Sequence, residues 1–222
     1  MITSYETPFE LLEELRWNRE TMEPLRHRHP DDFDFIQGLK SSYSTHIYSE
    51  LFYGLIRKWK PSLYVEFGVL SGYSLLAVAL ALRDNGKGAA IGVDLFENYA
   101  FNMDFRAAVQ ARIAALGVDK VCTLLQGSVL EIPCEAYCPD VLHVDISNDG
   151  QLVRKLFDRW KAHVARAFIF EGGGPSRDTV DWMIRYGKDA MYPVFDEIDR
   201  EGGWSVHQVL AFPTLTLLVR KS

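Results

Sequence analysis

The sequence predicts a doubly wound α/β domain on seven strands, mostly parallel, with an antiparallel hairpin at the C-terminal end. Three observations carry that reading. From Pro61 onward, strand-length apolar runs alternate with helix-length segments. Leu63-Tyr-Val-Glu-Phe67 is short, apolar and aromatic, as a strand covered on both faces should be, and it runs straight into a turn of small residues. The last two strand runs, 204–211 and 215–220, are separated only by Phe212-Pro-Thr214. So short a link cannot make a parallel crossover, and those strands must pair antiparallel.

In chain order, Phe9, Leu11, Leu12, Leu15 and Met22 fall at helical spacing with Glu and Arg opposite, and Pro24 ends that helix. Arg26-His-Arg-His-Pro30 reads as a solvated basic loop. A second helix covers 45–59, with Leu51, Leu55 and Trp59 as its buried stripe, and Pro61 stops it. Strand 63–67, helix 72–84, strand 89–94 and helix 102–116 follow. Strands 121–126 and 141–145, helix 150–164, strand 167–171 and a helix over 177–187 then lead to the terminal hairpin. The change of pattern near Pro61 divides the chain into an N-terminal helical segment, 1–60, and an α/β domain, 61–222.

Bulk properties exclude several classes. At 222 residues, 48% hydrophobic and 24% charged, the chain suits one soluble α/β domain. A formal charge of −6 argues against a nucleic-acid groove as the main surface. The longest apolar run, 75–82, is far too short to span a bilayer. Residues 1–5 lead directly into polar and acidic residues, so no secretory signal is expected and a cytoplasmic address follows. Cys122, Cys134 and Cys138 have no second pair or His cluster to complete four tetrahedral ligands. They read as reduced thiols, without zinc.

Small residues concentrate after the first predicted strand. Gly68, Ser71, Gly72 and Ser74 remove bulk where backbone must approach a ligand, and leave amides free at a helix N-terminus. Asp94 closes the next strand, where its carboxylate can accept both hydroxyls of a ribose. Together these are the parts of a nucleoside-binding crevice.

Glu66-Phe-Gly68-Val-Leu-Ser71-Gly72-Tyr-Ser74, Val93-Asp94-Leu95-Phe96, Gln126-Gly127-Ser128 and His143-Val-Asp145 make the chain resemble the class I S-adenosylmethionine-dependent methyltransferases over its last three-quarters. Phe170-Glu171-Gly172-Gly173, Arg177-Asp178 and Asp181-Trp182-Met183 resemble a bacterial small-molecule branch, with members in natural-product and glycan tailoring. The resemblance implies a Rossmann-like methyltransferase fold, S-adenosylmethionine as cofactor, and residues 1–60 as a helical lid. It implies a cofactor-binding set of Glu66, near the ammonium directly or through water, with Gly68, Ser71, Gly72, Ser74, Asp94, Leu95, Gly127, Ser128 and Asp145. Tyr43, Phe96, Tyr99 and Tyr186 are candidates for a π face against the sulfonium.

Asp145, Asn148, Glu171 and Tyr186 are the candidate catalytic residues. Asp145 and Glu171 end neighbouring strands, so both carboxylates point into the crevice. In metal-assisted relatives, acids at these strand ends hold magnesium. Here Glu171-Gly172 stands where catechol-type relatives carry Asp-Asn, and Asn148 stands where sugar methyltransferases carry His. A divalent metal is therefore not favoured; Asp145 and Glu171 would be its ligands if one were held. Asn148 cannot take a proton; of the histidines His143 reads as structural, His207 has no assignable direction, and His46 could reach the site from the N-terminal part, so no general base is evident.

The implied function is methyl transfer to an oxygen or nitrogen of a small molecule in specialised metabolism. An alternative is the azetidine-2-carboxylate synthase type, in which the cofactor's own amine closes a ring and expels methylthioadenosine. A third is cofactor binding without chemistry. The expected partner is a small-molecule acceptor, with neither nucleic acid nor membrane, and a homodimer is left open by the apolar residues of the first sixty positions.

Overall fold

The structure, a computed structural model, describes residues 1–14, 29–98 and 105–221. One sheet holds β1 (Thr3–Tyr5), β2 (Leu63–Phe67), β3 (Ala89–Asp94), β4 (Cys122–Gln126), β5 (Val141–Val144), β6 (Ala167–Glu171), β7 (Trp204–Val209) and β8 (Leu215–Arg220). Their spatial order is β1-β7-β8-β6-β5-β2-β3-β4. From β4 across to β6 every pairing is parallel, while β8 runs antiparallel to both β6 and β7. The parallel sheet and the antiparallel hairpin are as expected.

Helices α1 (Pro8–Glu14), α2 (Pro30–Gln37), α3 (Tyr48–Trp59), α4 (Tyr73–Asn85), α5 (Arg106–Ala115), α6 (Gly150–Trp160), α7 (Asp181–Arg185) and α8 (Tyr192–Glu201) accompany the sheet. Successive side chains of a strand point to opposite faces. Along β2, Tyr64 joins the core shared with α3 and α4, and Val65 and Phe67 join the core built on Phe157 and Trp160 of α6 and Phe195 of α8. Asp149 caps α6, its Oδ1 accepting from the Gln151 and Leu152 amides.

Four expectations need correction. The sheet has eight strands rather than seven, because Thr3, Ser4 and Tyr5 pair with His207, Gln208 and Val209. Three residues carry no period, and their partner lies at the other end of the chain. Two helices were passed over: α2, which follows the basic loop, and α8, which starts with Pro193 in its first turn and ends at Gly202, φ +90°. The helix expected over 177–187 contracts to α7, and the strand expected over 141–145 stops at Val144.

The N-terminal segment is packed into the core. Residues 48–56 of α3 are all buried, because the helix is wedged between α4 on one side and α1 and α2 on another. Burying Leu51, Phe52, Leu55 and Ile56 contributes about 1.5–3 kcal/mol each. Packing rather than helix propensity therefore holds α3 in place. Of the first sixty residues, Ser41 and Ser42 line the crevice. Leu15, Met22, Pro24 and positions 26–28 lie outside the described residues, as do Tyr99 and positions 102–104 of the helix expected over 102–116.

Candidate active site

Strands β2 and β5 end side by side, with Phe67 opposite Val144. The turn after β2 requires glycine at 68: φ is +87°, and a Cβ would stand 1.9 Å from the Asp145 carbonyl oxygen. Asp94 reaches this turn from the end of β3. Its Oδ2 accepts from the Val69 and Leu70 amides at 2.7 and 3.1 Å, and Oδ1 accepts from the Phe96 amide at 2.8 Å. The carboxylate expected to grip a sugar thus also holds the turn in shape. Ser71 is tied in as well: its hydroxyl donates to the Lys40 carbonyl at 2.6 Å, and its own carbonyl accepts from Arg112 at 2.9 Å.

A cavity of about 420 Å³ opens at these strand ends, a volume within the usual range for small-ligand sites. Gly68, Ser71, Ser74, Asp94, Leu95, Gly127, Ser128 and Asp145 line it, which brings together eight of the ten expected cofactor residues. Val129, Leu130, Ile146 and Leu152 add an apolar wall that the reading missed. Ile146 follows Asp145 directly, a signal that was available; Leu152 is on α6, and no local pattern pointed to it. Gly72 lies behind the lining, where a Cβ would meet Val109 at 3.2 Å.

Glu66 is the other expected member that does not line the cavity. It is fully buried beneath Ser74, whose hydroxyl donates to Oε1 at 2.8 Å. The Tyr64 hydroxyl donates to Oε2 at 2.7 Å, and His143 Nδ1 lies 3.2 Å from the same oxygen. On the other side of the imidazole, Nε2 meets the Tyr43 hydroxyl at 3.1 Å. These groups satisfy one another away from water, and burial pushes both tyrosine hydroxyls well above their ordinary range. Glu66 therefore braces the wall from beneath Ser74 rather than lining the cavity. Tyr43 and Phe96 are core residues on the same argument and offer the cavity no π face.

A second cavity of about 750 Å³ adjoins the first, lined by Asp145, Ile146, Ser147, Asn148, Trp182, Tyr186 and Lys188. Asp145 and Ile146 line both. Three of the four expected catalytic residues meet here, and Glu171 stands just behind them. Burial first, then the neighbouring Glu171 carboxylate, push Asp145 up to about 8. Burial also raises Glu171, and the Arg177 guanidinium, 3.2 Å from its Oε1, pulls it back down. The paired acids share one site whose charge Arg177 partly offsets. Asn148 is buried, and its amide nitrogen lacks a full hydrogen-bond partner among the described residues.

This donor set does not fit a divalent metal. The position after Glu171 is Gly172, at φ +93°, and it offers no ligand side chain. A guanidinium already sits against one of the two carboxylates. Among the described residues, the remaining histidines stand apart from the cavities. His207 meets the Tyr5 hydroxyl at 3.2 Å on the outer strands, His46 packs near Tyr48, and His29 pairs with Asp84 at 2.8 Å.

Residues 65–169 match a family model described as a methyltransferase domain. A caffeoyl-CoA O-methyltransferase of Stellaria longipes is 36% identical over 75 residues, which is 32% of this chain and 30% of that protein. The aligned stretch thus spans under a third of that relative's length. Solved structures match over most of the chain. The SAH-bound methyltransferase PaMTH1 of Podospora anserina has a TM-score of 0.62 at 15% identity, covering 86% of this chain and 87% of its own. The O-methyltransferase TomG of Streptomyces achromogenes, involved in tomaymycin synthesis and solved with SAM, scores 0.60 at 16% identity over 78% and 79%. An O-methyltransferase of Bacillus cereus in complex with SAH scores 0.59 at 14% identity over 97% and 98%. These likenesses make the fold the Rossmann-like methyltransferase fold, and no helix of the described residues is long and apolar enough to cross a membrane.

Proposed function

We propose that this chain, whose residues 65–169 match a methyltransferase-domain model, is an S-adenosylmethionine-dependent methyltransferase of class I acting on a hydroxyl of a small molecule. One observation carries the reading: Asp145 and Ile146 line both the crevice cavity and the outer cavity. Cofactor in the first and acceptor in the second would meet at that shared wall. When bound, S-adenosylmethionine supplies a methyl carbon already activated by its sulfonium, so the chain's residues need chiefly to position, desolvate and deprotonate.

Asp94 shapes the glycine turn and faces the sugar, while Gly127 and Ser128 border the adenine side. Asp145 takes the acceptor's hydroxyl proton as the oxygen attacks the methyl carbon and the carbon–sulfur bond breaks. Its raised proton affinity, sustained by Glu171, makes it a better base than an ordinary carboxylate. Trp182 and Tyr186 offer flat walls to the acceptor, and Asn148 offers a hydrogen-bond donor. The natural-product setting of one similar structure is in keeping with a role in specialised metabolism.

The cyclase reading has one observation in its favour. Asn148, Tyr186 and Asp145 border a single cavity, and Asp145 is poised to accept a proton from an amine. In that reaction the nitrogen of S-adenosylmethionine attacks its own γ-carbon and methylthioadenosine departs. Incubating the protein with S-adenosylmethionine, with and without hydroxylated small molecules, separates the readings. S-adenosylhomocysteine formed only with an acceptor is the expected product. Methylthioadenosine without acceptor would favour the cyclase, and tight binding with no turnover on any acceptor would leave a non-catalytic binder.

Asp94→Ala is expected to weaken S-adenosylmethionine binding roughly 10- to 100-fold, because charge-assisted hydrogen bonds are worth about 1.5–3 kcal/mol. The substitution removes the brace of the turn together with the sugar contact. Calorimetry that returns an unchanged affinity would remove Asp94 from both roles.

A further inference from the structure

Cys134 and Glu135 sit on the short turn Cys134–Ala136 that leads into β5, and His163 sits in the turn after α6. Both turns lie at the end of the sheet opposite the two cavities, and none of the three residues lines either cavity. One sulfur, one carboxylate oxygen and one imidazole nitrogen converge there within 4.8 Å of one another. No other such group of three is found among the described residues.

The convergence is built into the backbone. The Ala165 amide donates to the Pro139 carbonyl and the Arg166 amide to the Asp140 carbonyl, each at 2.9 Å, which locks the two turns in register. The Cys134 thiol already points at Glu135, with Sγ 3.4 Å from Oε1. Cys134 is buried, His163 half-buried and Glu135 exposed, so the group opens to solvent on one side. The nearby Arg159 is committed to the Leu130 and Ile132 carbonyls.

We propose that Cys134, Glu135 and His163 bind a divalent ion of the zinc type, with water as fourth ligand. The donor set decides the class of ion. A thiolate with an imidazole suits zinc and disfavours magnesium or calcium, which take oxygen ligands. Binding releases the thiol proton to solvent, one per ion, and ties the entry of β5 to the exit of α6. Sequence spacing gave no hint of it, because β5 and α6 separate His163 from Cys134 along the chain.

Cobalt(II) titrated into the metal-free full-length protein tests the site, since a thiolate–cobalt bond gives a charge-transfer absorption band. One equivalent is expected to develop the band and one equivalent of zinc to abolish it. Cys134→Ser should remove the band, and Cys138→Ser should leave it intact. His163→Gln and Glu135→Gln should each weaken binding by more than the roughly 10-fold that losing a second-shell partner costs. Glu135 is exposed, so Glu135→Gln gives a folded test even if Cys134→Ser does not fold. No band at stoichiometric cobalt, a band that survives Cys134→Ser, or unchanged affinity in Glu135→Gln overturns the site. None of these outcomes bears on methyl transfer.

Discussion

Asp145→Asn is expected to lower turnover by roughly 10²–10⁴-fold, the usual contribution of a positioned general base, while S-adenosylmethionine still binds. Asparagine keeps the shape of the shared wall and removes the proton acceptor. The pH dependence follows from the direction of the shift. A base must be deprotonated to act, and the Asp145 carboxyl is pushed up to about 8. For the free enzyme, kcat/KM should therefore rise as pH climbs toward 8 and level off above it. A bound sulfonium favours the ionised form, so the corresponding rise in kcat should fall at lower pH. The variant should show a low, flat profile across the same range. A variant that keeps wild-type turnover, or keeps the rise, would exclude Asp145 as the base.

Glu66→Ala should be the most damaging single change to stability, at about 3–5 kcal/mol by urea denaturation. It would take the acceptor from the buried Ser74 hydroxyl and remove the carboxylate shared by Tyr64 and His143, leaving those two only each other and Tyr43. Glu66→Gln keeps an acceptor oxygen at the same place and should cost clearly less. A loss under about 1 kcal/mol for the alanine variant would mean that the network is not a supporting one. Because Glu66 stands behind Ser74, Glu66→Gln should also leave cofactor affinity nearly intact, in contrast to Asp94→Ala.

The sequence spoke most clearly where structure is local. Asp94 and the Gly68–Ser74 turn were legible because a strand end and a run of small residues are contiguous signals, but the close approach of the Asp145 carbonyl that requires glycine at 68 comes from the next strand over and was not. The surroundings of Glu66 were hidden for a related reason. Its position in the motif was read correctly, but alternation along β2 turns it beneath α4, and only the packing of His143 and Tyr64 around it reveals a bracing role. Trp182 and Tyr186 line a cavity with Lys188 because α7 and the residue after it bring them together, an arrangement that no local pattern gives.

By itself, then, the chain's order of residues determined the layered α/β architecture, the terminal hairpin and the glycine turn, since periodicity, loop length and small side chains act over a few neighbours. Only tertiary structure decided that Asp145 and Glu171 are buried together beside Arg177, how β1 completes the sheet, and that Cys134 meets His163. Each of these depends on burial and on distances of a few ångströms between residues far apart in the chain, and those distances exist only once the domain has folded.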